Sequence, residues 1–418
     1  MAGVALVIAA PMTAAIALPL CLVAPLAWCW RSQGRLPPLK ASPVMACLAL
    51  AAIYLLINAV WSLDYPSALL TGIWLLAFVA VLHVTKGTLD GLAPRPLRAM
   101  ALGFYAGVAL GSLFLCFEIV SDQWLRRLVE NAVPRLRSDP RHLVMEGDRI
   151  IKLPTYLLNR SIAAWTLLYW PALLVLWRLD LPRRQWMLLA ALGLLPGVAA
   201  VFLSDHETSK LAFLGAAVAW AVFLATPALT RRLFVAGWVA ATLLMVPMTM
   251  IAFSSQLYLA PWLAGSAQDR IVLWGYTSQQ VLRAPILGVG VKTSSVLGRP
   301  SDADDSPQAP GSTLRMSIRH HTHNGYLQVW YEAGAVGALL LFGFGILTLR
   351  SLAKLPIDAQ PFLYATFATC ALVAASSFSL WQAWFIGLLG LASIFAMLGC
   401  SDVSSRRERV DAPPVANR

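Results

Sequence analysis

Charge is scarce in this 418-residue chain: Asp, Glu, Lys and Arg together make up only 12% of it. Hydrophobic residues make up 59%, and mean hydropathy is +0.68. A water-soluble domain of this length could not hide that much apolar surface, so lipid must serve as solvent. No stretch reads as a soluble domain with its own core, and no short internal repeat is present. Cysteine is absent from the long polar segments. Cys21, Cys29, Cys47, Cys116, Cys370 and Cys400 all lie in or beside apolar blocks, so no disulfide framework is implied. Short alternating segments that would build a barrel are missing too. The apolar residues instead fall in blocks of about 17–25, the length a helix needs to cross a bilayer. The expectation is an all-α, polytopic membrane helical bundle.

The first block, Val4 to Trp30, carries Pro11, Pro19 and Pro25 and reads as one kinked span or a tight pair of short helices. It lacks the charged n-region of a signal peptide. Further spans are expected at 44–62, 68–84, 99–120, 161–177, 186–203, 211–229, 233–253, 326–349, 362–376 and about 381–400. That makes 11 transmembrane helices, or 12 if the first block is a hairpin. Residues 1–400 form a single transmembrane domain in this reading. Residues 401–418 are a polar, disordered cytoplasmic tail.

Orientation follows from the short loops. Arg31, Arg35, Lys40, Lys86, Arg95, Arg98, Arg178, Arg183, Arg184, Arg231, Arg232, Arg350 and Lys354 sit in one set, whereas the opposite short loops hold only Lys210. Short cationic loops stay in the cytoplasm, so the long polar segments 121–160 and 254–322 should face outward. The net charge of +12 is then read as membrane orientation plus an anionic substrate, with no nucleic acid involved. The outward segments are basic as well, through Arg126, Arg127, Arg135, Arg137, Arg141, Arg149, Lys152 and Arg160, and through Arg270, Arg283, Lys292, Arg299, Arg315 and Arg319. Interfacial snorkelling beside lipid head groups would explain that, and so would a phosphate-bearing substrate.

Chemistry-bearing residues concentrate between Arg319 and Gly337, where a polar segment meets an apolar helix. His320, His321 and His323 lie there, and an extended Thr322 would point His321 and His323 to one side. Imidazole titrates near neutrality, so a general base is favoured over a helix cap or a zinc site, for which no Cys or nearby carboxylate completes the ligand set. In the following helix, Gly334 and Gly337 would admit a neighbouring helix. Glu332 there reads as half of a buried Glu–Arg pair or as a substrate contact. The run Asp302, Asp304, Asp305 reads as a solvated loop. Gly288, Gly290, Pro300, Pro307 and Pro310 suggest a mobile outer segment.

His323-Asn324, Leu327-Gln328 and Glu332 with Gly334 and Gly337 resemble the signature of the O-antigen ligase and polymerase superfamily. Asn159-Arg160 ahead of Trp170-Pro171, Asp205 to Lys210 heading a span, and Asp269-Arg270 before Trp274 are similar to it as well. Lys210 stands where many relatives have arginine; it keeps the charge but loses bidentate phosphate geometry. The resemblance implies a GT-C-like, metal-independent, inverting glycosyltransferase of the bacterial inner membrane with its active site facing the periplasm. It implies no cofactor. The donor would be an undecaprenyl-diphosphate-linked O-antigen, the acceptor lipid A–core, and membrane lipids the surroundings. His323 would be the base, with His321 as second choice or orienting partner. Arg160, Lys210, Arg270 and Arg319 would clamp the leaving diphosphate, with Arg315, Asn324 and Glu332 as further substrate contacts. O-antigen polymerase and protein O-oligosaccharyltransferase are the alternatives within the superfamily. A lipid or glycan transporter is the alternative outside it, but the paired broken helices in two halves are missing.

Overall fold

A computed structural model describes residues 1–34, 42–138, 143–298, 306–318 and 321–401. Every expected apolar block is helical. The helices, in chain order, are α1 (Ala2–Ala9), α2 (Ala14–Gln33), α3 (Pro43–Asn58), α4 (Tyr65–Leu89), α5 (Pro94–Val120), α6 (Trp124–Ala132), α7 (Asn159–Arg178), α8 (Arg183–Leu203), α9 (Glu207–Ala225), α10 (Pro227–Leu243), α11 (Met245–Ser254), α12 (Gly265–Val281), α13 (Thr293–Leu297), α14 (Gly325–Leu352), α15 (Gln360–Ser376) and α16 (Ala383–Cys400). Among the described residues a small antiparallel hairpin, β1 (Val144–Glu146) with β2 (Arg149–Lys152), lies within the first long polar segment.

Among the described residues seven helices are long and apolar enough to cross a membrane, or up to eight if the bent pair α10–α11 counts as one. The chain is thus a polytopic helical membrane protein, with fewer self-sufficient spans than the expected 11 or 12. The reason differs from block to block. The first block breaks at Ala10, just before Pro11, so the eight-residue α1 only lies against α5 and α7. Gly107 and Gly111 of α5 leave room for Val4 and Ile8 of that short helix. Between α10 and α11 the chain turns by 67°. Helix α15 has 17 residues and is largely buried.

Helix α7 carries the core. Wrapped by its neighbours α5, α8, α9, α15 and α16, it can bury both polar-edged Trp and small residues along nearly its whole length. Trp165 is fully buried: its indole N–H donates to Ser112 Oγ at 2.7 Å, and its ring lies over Gly197, where a Cβ would collide with it. The outer helix faces expose Leu188, Leu192, Leu195, Leu211, Leu214, Val218 and Leu339, which only a lipid surround makes inexpensive.

The bundle has two unlike ends. At one, Arg178 pairs with Asp358 at 2.9 Å, and Arg231 donates to Gln360 at 2.7 Å, joining the loops after α7, α9 and α14. This is the end with the short cationic loops. At the other end, the turns before α4, α7, α9, α14 and α16 meet the two long polar segments.

The first polar segment is knitted by its own arginines. Arg126 binds Glu130, the Leu157 carbonyl and Ser138; Arg127 donates to the Ile151 and Ser121 carbonyls; Arg137 binds Asp148 and the Glu130 carbonyl. These three cations serve the loop's own carbonyls and carboxylates rather than a substrate phosphate. Arg141, Arg299 and the acidic run 302–305 lie outside the described residues.

The second polar segment holds the other departure from expectation. Gly288 and Gly290 are pinned, not mobile. Residues 285–290 run beside a break in α14 at Gly334, whose φ of 63° and ψ of −165° suit glycine alone. Val289 and Gly290 donate to the Tyr331 and Glu332 carbonyls, while Ala335 and Val336 donate to those of Pro285 and Ile286. From α3, Tyr54 and Asn58 donate to the Leu287 carbonyl at 3.1 and 3.0 Å, and Asn58 Oδ1 accepts from Val291 N at 2.7 Å. The broken helix frees backbone groups, and the inserted segment satisfies them. Gly334 therefore admits a loop segment rather than a helix, and a Cβ at Gly337 would meet only Val329 and Ala333 of its own helix.

Candidate functional site

The site is built from three turns and one helix. The first is 321–324, ahead of α14. Asn324 caps that helix by accepting from Leu327 N at 3.1 Å, and Thr322 Oγ1 bridges the Asn324 carbonyl (2.6 Å) and amide (3.2 Å). This knot leaves His323 with φ of +52°, a left-handed conformation uncommon for a residue with a side chain. Such held strain at a polar cluster is a pointer to function. The knot is tethered to α12 by Trp274, whose indole N–H donates to the Thr322 carbonyl at 2.7 Å.

His321 and His323 face each other, ring centroids 4.0 Å apart. Their bonds distinguish them. His323 Nδ1 lies 3.1 Å from the Ser377 carbonyl. A carbonyl only accepts, so a neutral His323 carries its proton on Nδ1 and its lone pair on Nε2. His321 Nδ1 accepts from His323 N at 3.2 Å, so neutral His321 carries its proton on Nε2. In their neutral forms the two rings are thus opposite tautomers.

The second turn, 377–382, joins α15 to α16. Its Ser377 carbonyl meets His323, and its Ser377 hydroxyl lies 3.0 Å from His206 Nε2. The third turn holds His206, just before α9. His206 is buried, its Nδ1 is 2.7 Å from Ser209 Oγ, and its ring packs on Phe378 at 5.7 Å. Burial, reinforced by the positive charge of Arg270, pushes its pKa down to about 4, so it is neutral near pH 7. Neither His206 nor Ser377 stands out in the sequence as a site residue. The available signal was a histidine inside the Asp205–Lys210 stretch and a run of serines between two apolar blocks.

The fourth element is α12, with Arg270. This guanidinium is half-buried near His206, and burial lowers its pKa. Among the described residues no carboxylate forms an ion pair with it. The Asp269 carboxylate beside it in sequence acts on it electrostatically, and a half-buried cation so placed can attract a further anion. Lys210 is different: its ammonium is bound to Glu207 at 2.7 Å. Arg160 lies over the Trp384 ring, 5.8 Å from its centroid, and Trp384 packs on Phe378 at 4.8 Å. A chain of contacts thus runs from Arg160 through Trp384, Phe378, His206 and Ser377 to His323.

Other expected site residues fall elsewhere. Arg315 is exposed on the bridge to Gln308 and donates to the Ser306 carbonyl at 2.9 Å; nothing brings it to the imidazoles. Asn324 is buried, its oxygen used by the cap and its amide against Met245 Sδ. Glu332 lies roughly 13 Å farther along the helix axis, nine residues from His323. Its carboxylate is fully buried and accepts from Ser294 N at 3.0 Å, Ser294 Oγ, Gln328 Nε2 at 3.2 Å and the Trp381 indole. These are neutral donors, so Glu332 is a tie between the inserted segment, α14 and the 377–382 turn, and not half of an arginine pair. Arg319 and His320 lie outside the described residues.

A family profile described as O-antigen ligase matches residues 191–342. That range contains His206, Lys210, Arg270, His321, His323 and Glu332 but stops short of the 377–382 turn. A provisionally named polysaccharide ligase of Rickettsia conorii is 24% identical over 237 residues, 55% of each chain. Its namesake in Rickettsia typhi is 26% identical over 122 residues, 29% of each chain, and that of Rickettsia prowazekii 22% identical over 237 residues, 55% of this chain and 56% of the other. The chain spans about half the length of the curated relatives it matches. Residues 191–342, on a bundle of membrane-crossing helices, are thus similar to the O-antigen ligase family, the family that the motif around His323 resembles.

Proposed function

We propose that this protein is an O-antigen ligase: a glycosyltransferase of the bacterial inner membrane that moves a glycan from undecaprenyl diphosphate to lipid A–core at the periplasmic face. The observation that carries the reading is the His323 imidazole, held with its Nδ1 on the Ser377 carbonyl in a turn that His206 links to the charge of Arg270. The acceptor hydroxyl oxygen forms a bond to the anomeric carbon while the bond from that carbon to the diphosphate oxygen breaks. The hydroxyl proton passes to His323 Nε2, and the electron pair leaves with the lipid diphosphate. Arg270 meets the growing negative charge on the leaving group, assisted by Arg160 and by Lys210 once it releases Glu207. His321 orients the acceptor through Nε2–H. Attack opposite the leaving group inverts the anomeric centre, and no divalent cation is required on this reading.

Asn324 and Glu332 hold backbone on this reading and touch no substrate. The polysaccharide-ligase names of the Rickettsia relatives support ligation over polymerisation. Purified protein, given a polyprenyl-diphosphate-linked glycan and lipid A–core, should form glycosylated lipid A–core, and His323→Ala should lower the rate at least about 100-fold. In a deletion strain, long chains on the core should vanish while polymerised donor accumulates. A strain that keeps long chains on the core overturns the ligase reading, and one that attaches only single repeat units points to the polymerase.

A further inference from the structure

His206 takes no part in the proton transfer just described, yet both of its ring nitrogens are engaged and it is buried beneath the 377–382 turn. That turn has no regular structure to hold it: Ser377 closes α15 with φ of −128° and ψ of −79°, and its carbonyl faces His323. Where the carbonyl points is a matter of one peptide's rotation. Side chains restrain the turn instead: Thr208 Oγ1 donates to the Ser376 carbonyl at 3.2 Å, and Ser379 Oγ accepts from Trp381 N at 3.2 Å. At its far end Glu332 accepts from the Trp381 indole. At its near end the Ser377 hydroxyl lies on His206 Nε2, and the Phe378 ring packs against the same imidazole.

We propose that His206 is a positioning residue: through the Ser377 hydroxyl it fixes the carbonyl that holds the Nδ1–H of His323, and so sets the lone pair of that imidazole on Nε2. The inference rests on the glycosyl-transfer reading for its kinetic consequence only; the tautomer of His323 can be read without any reaction. Buried as it is, with its ring nitrogens on Ser209 and Ser377, His206 acts on the acceptor through Ser377 and His323. Ser377→Ala separates hydroxyl from carbonyl, because the variant keeps the carbonyl and loses the contact to His206.

The test uses full-length protein in liposomes, with His206→Ala, Ser377→Ala and the double variant. With a polyprenyl-diphosphate-linked glycan and lipid A–core, each single variant should lose about tenfold in kcat, with KM for both lipids within about twofold. The double variant should be no slower than the slower single, since both cut the same link. Ring 15N shifts of histidine-labelled protein should show His323 as the Nδ1–H tautomer in the wild type, and mixed tautomers in His206→Ala and Ser377→Ala. If His206→Ala does not fold, His206→Gln, whose amide can still reach Ser377, takes its place and should retain most of kcat and the wild-type tautomer. Unchanged kcat in Ser377→Ala, additive losses in the double variant, or an unchanged His323 tautomer would each overturn the proposal. A tautomer change in a protein that transfers no glycan would sink the transfer reading and leave the positioning role standing.

Discussion

At the scale of single residues, the charge states of neighbouring groups sort the candidate cations. Arg270 and Lys210 stand near the same turn; among the described residues Lys210 forms an ion pair with Glu207, whereas Asp269 acts on Arg270 electrostatically without a recorded ion pair. Arg270→Ala should therefore lower donor use by about 100-fold, and Lys210→Ala by only about tenfold, since a single charged contact to the leaving group is worth about 2–4 kcal/mol when not already held in an ion pair. Initial rates at varied donor concentration check the ranking; equal losses would reject it.

His206 makes a second prediction, in stability. Its pKa falls from 6.5 to about 4 on folding, because the buried site disfavours the imidazolium. Between those values the unfolded chain binds the proton and the folded one does not, so stability rises with pH across that window. The neutral fit of His206 contributes fully above pH 6.5 and is lost as pH falls to about 4. The total is roughly 3 kcal/mol. Thermal unfolding of wild type and His206→Gln from pH 7.5 to 4.5 should show the wild-type advantage shrinking as the solution is acidified. A constant gap would mean that His206 titrates alike in both states.

At the scale of elements, the seating of segment 285–290 in the break of α14 depends on glycines that differ in kind. Gly334 has a backbone conformation closed to other residues, and a Cβ on Gly290 would lie 2.5 Å from Ser62 Cα. Gly334→Ala and Gly290→Ala should each destabilise the protein by about 3 kcal/mol or more, through strain and collision with backbone that cannot retreat. Gly237, exposed within α10 with nothing near its Cα hydrogens, is the contrast. Gly237→Ala should be neutral or stabilise by up to about 1 kcal/mol. Melting temperatures of the detergent-solubilised proteins check both, and a harmless Gly334→Ala would dismantle this account of the break.

At the scale of the whole molecule, the two ends of the bundle differ in what they hold, and the proposal assigns them to opposite compartments. In a background with the native cysteines replaced, Arg315→Cys should react with a membrane-impermeant maleimide in spheroplasts. Arg232→Cys should react only after permeabilisation. The reverse pattern would put the imidazoles in the cytoplasm and end the ligase reading, because the lipid-linked donor would then face the wrong leaflet.

What was legible in the sequence follows local rules. Apolar blocks of membrane length identify the helices, since each helix satisfies its own backbone in lipid. The cluster around His323 is visible because adjacent imidazoles beside a helix start are a short-range pattern. Asn324 was visible too, but its role as a cap depends on a backbone turn that no pattern displays. The rest belongs to the tertiary structure. Ser377 and Trp381, in one turn, lie 171 and 49 residues away from their partners His206 and Glu332. The break at Gly334 is explained only by the segment that enters it. Sequence alone determined which stretches are apolar helices and where titratable groups gather. Only the packed bundle decided which of those helices are long and apolar enough to cross a membrane, which nitrogen of each imidazole carries the proton and which cations are held in ion pairs, because those depend on breaks in the helices and on atoms brought together through space and not along the chain.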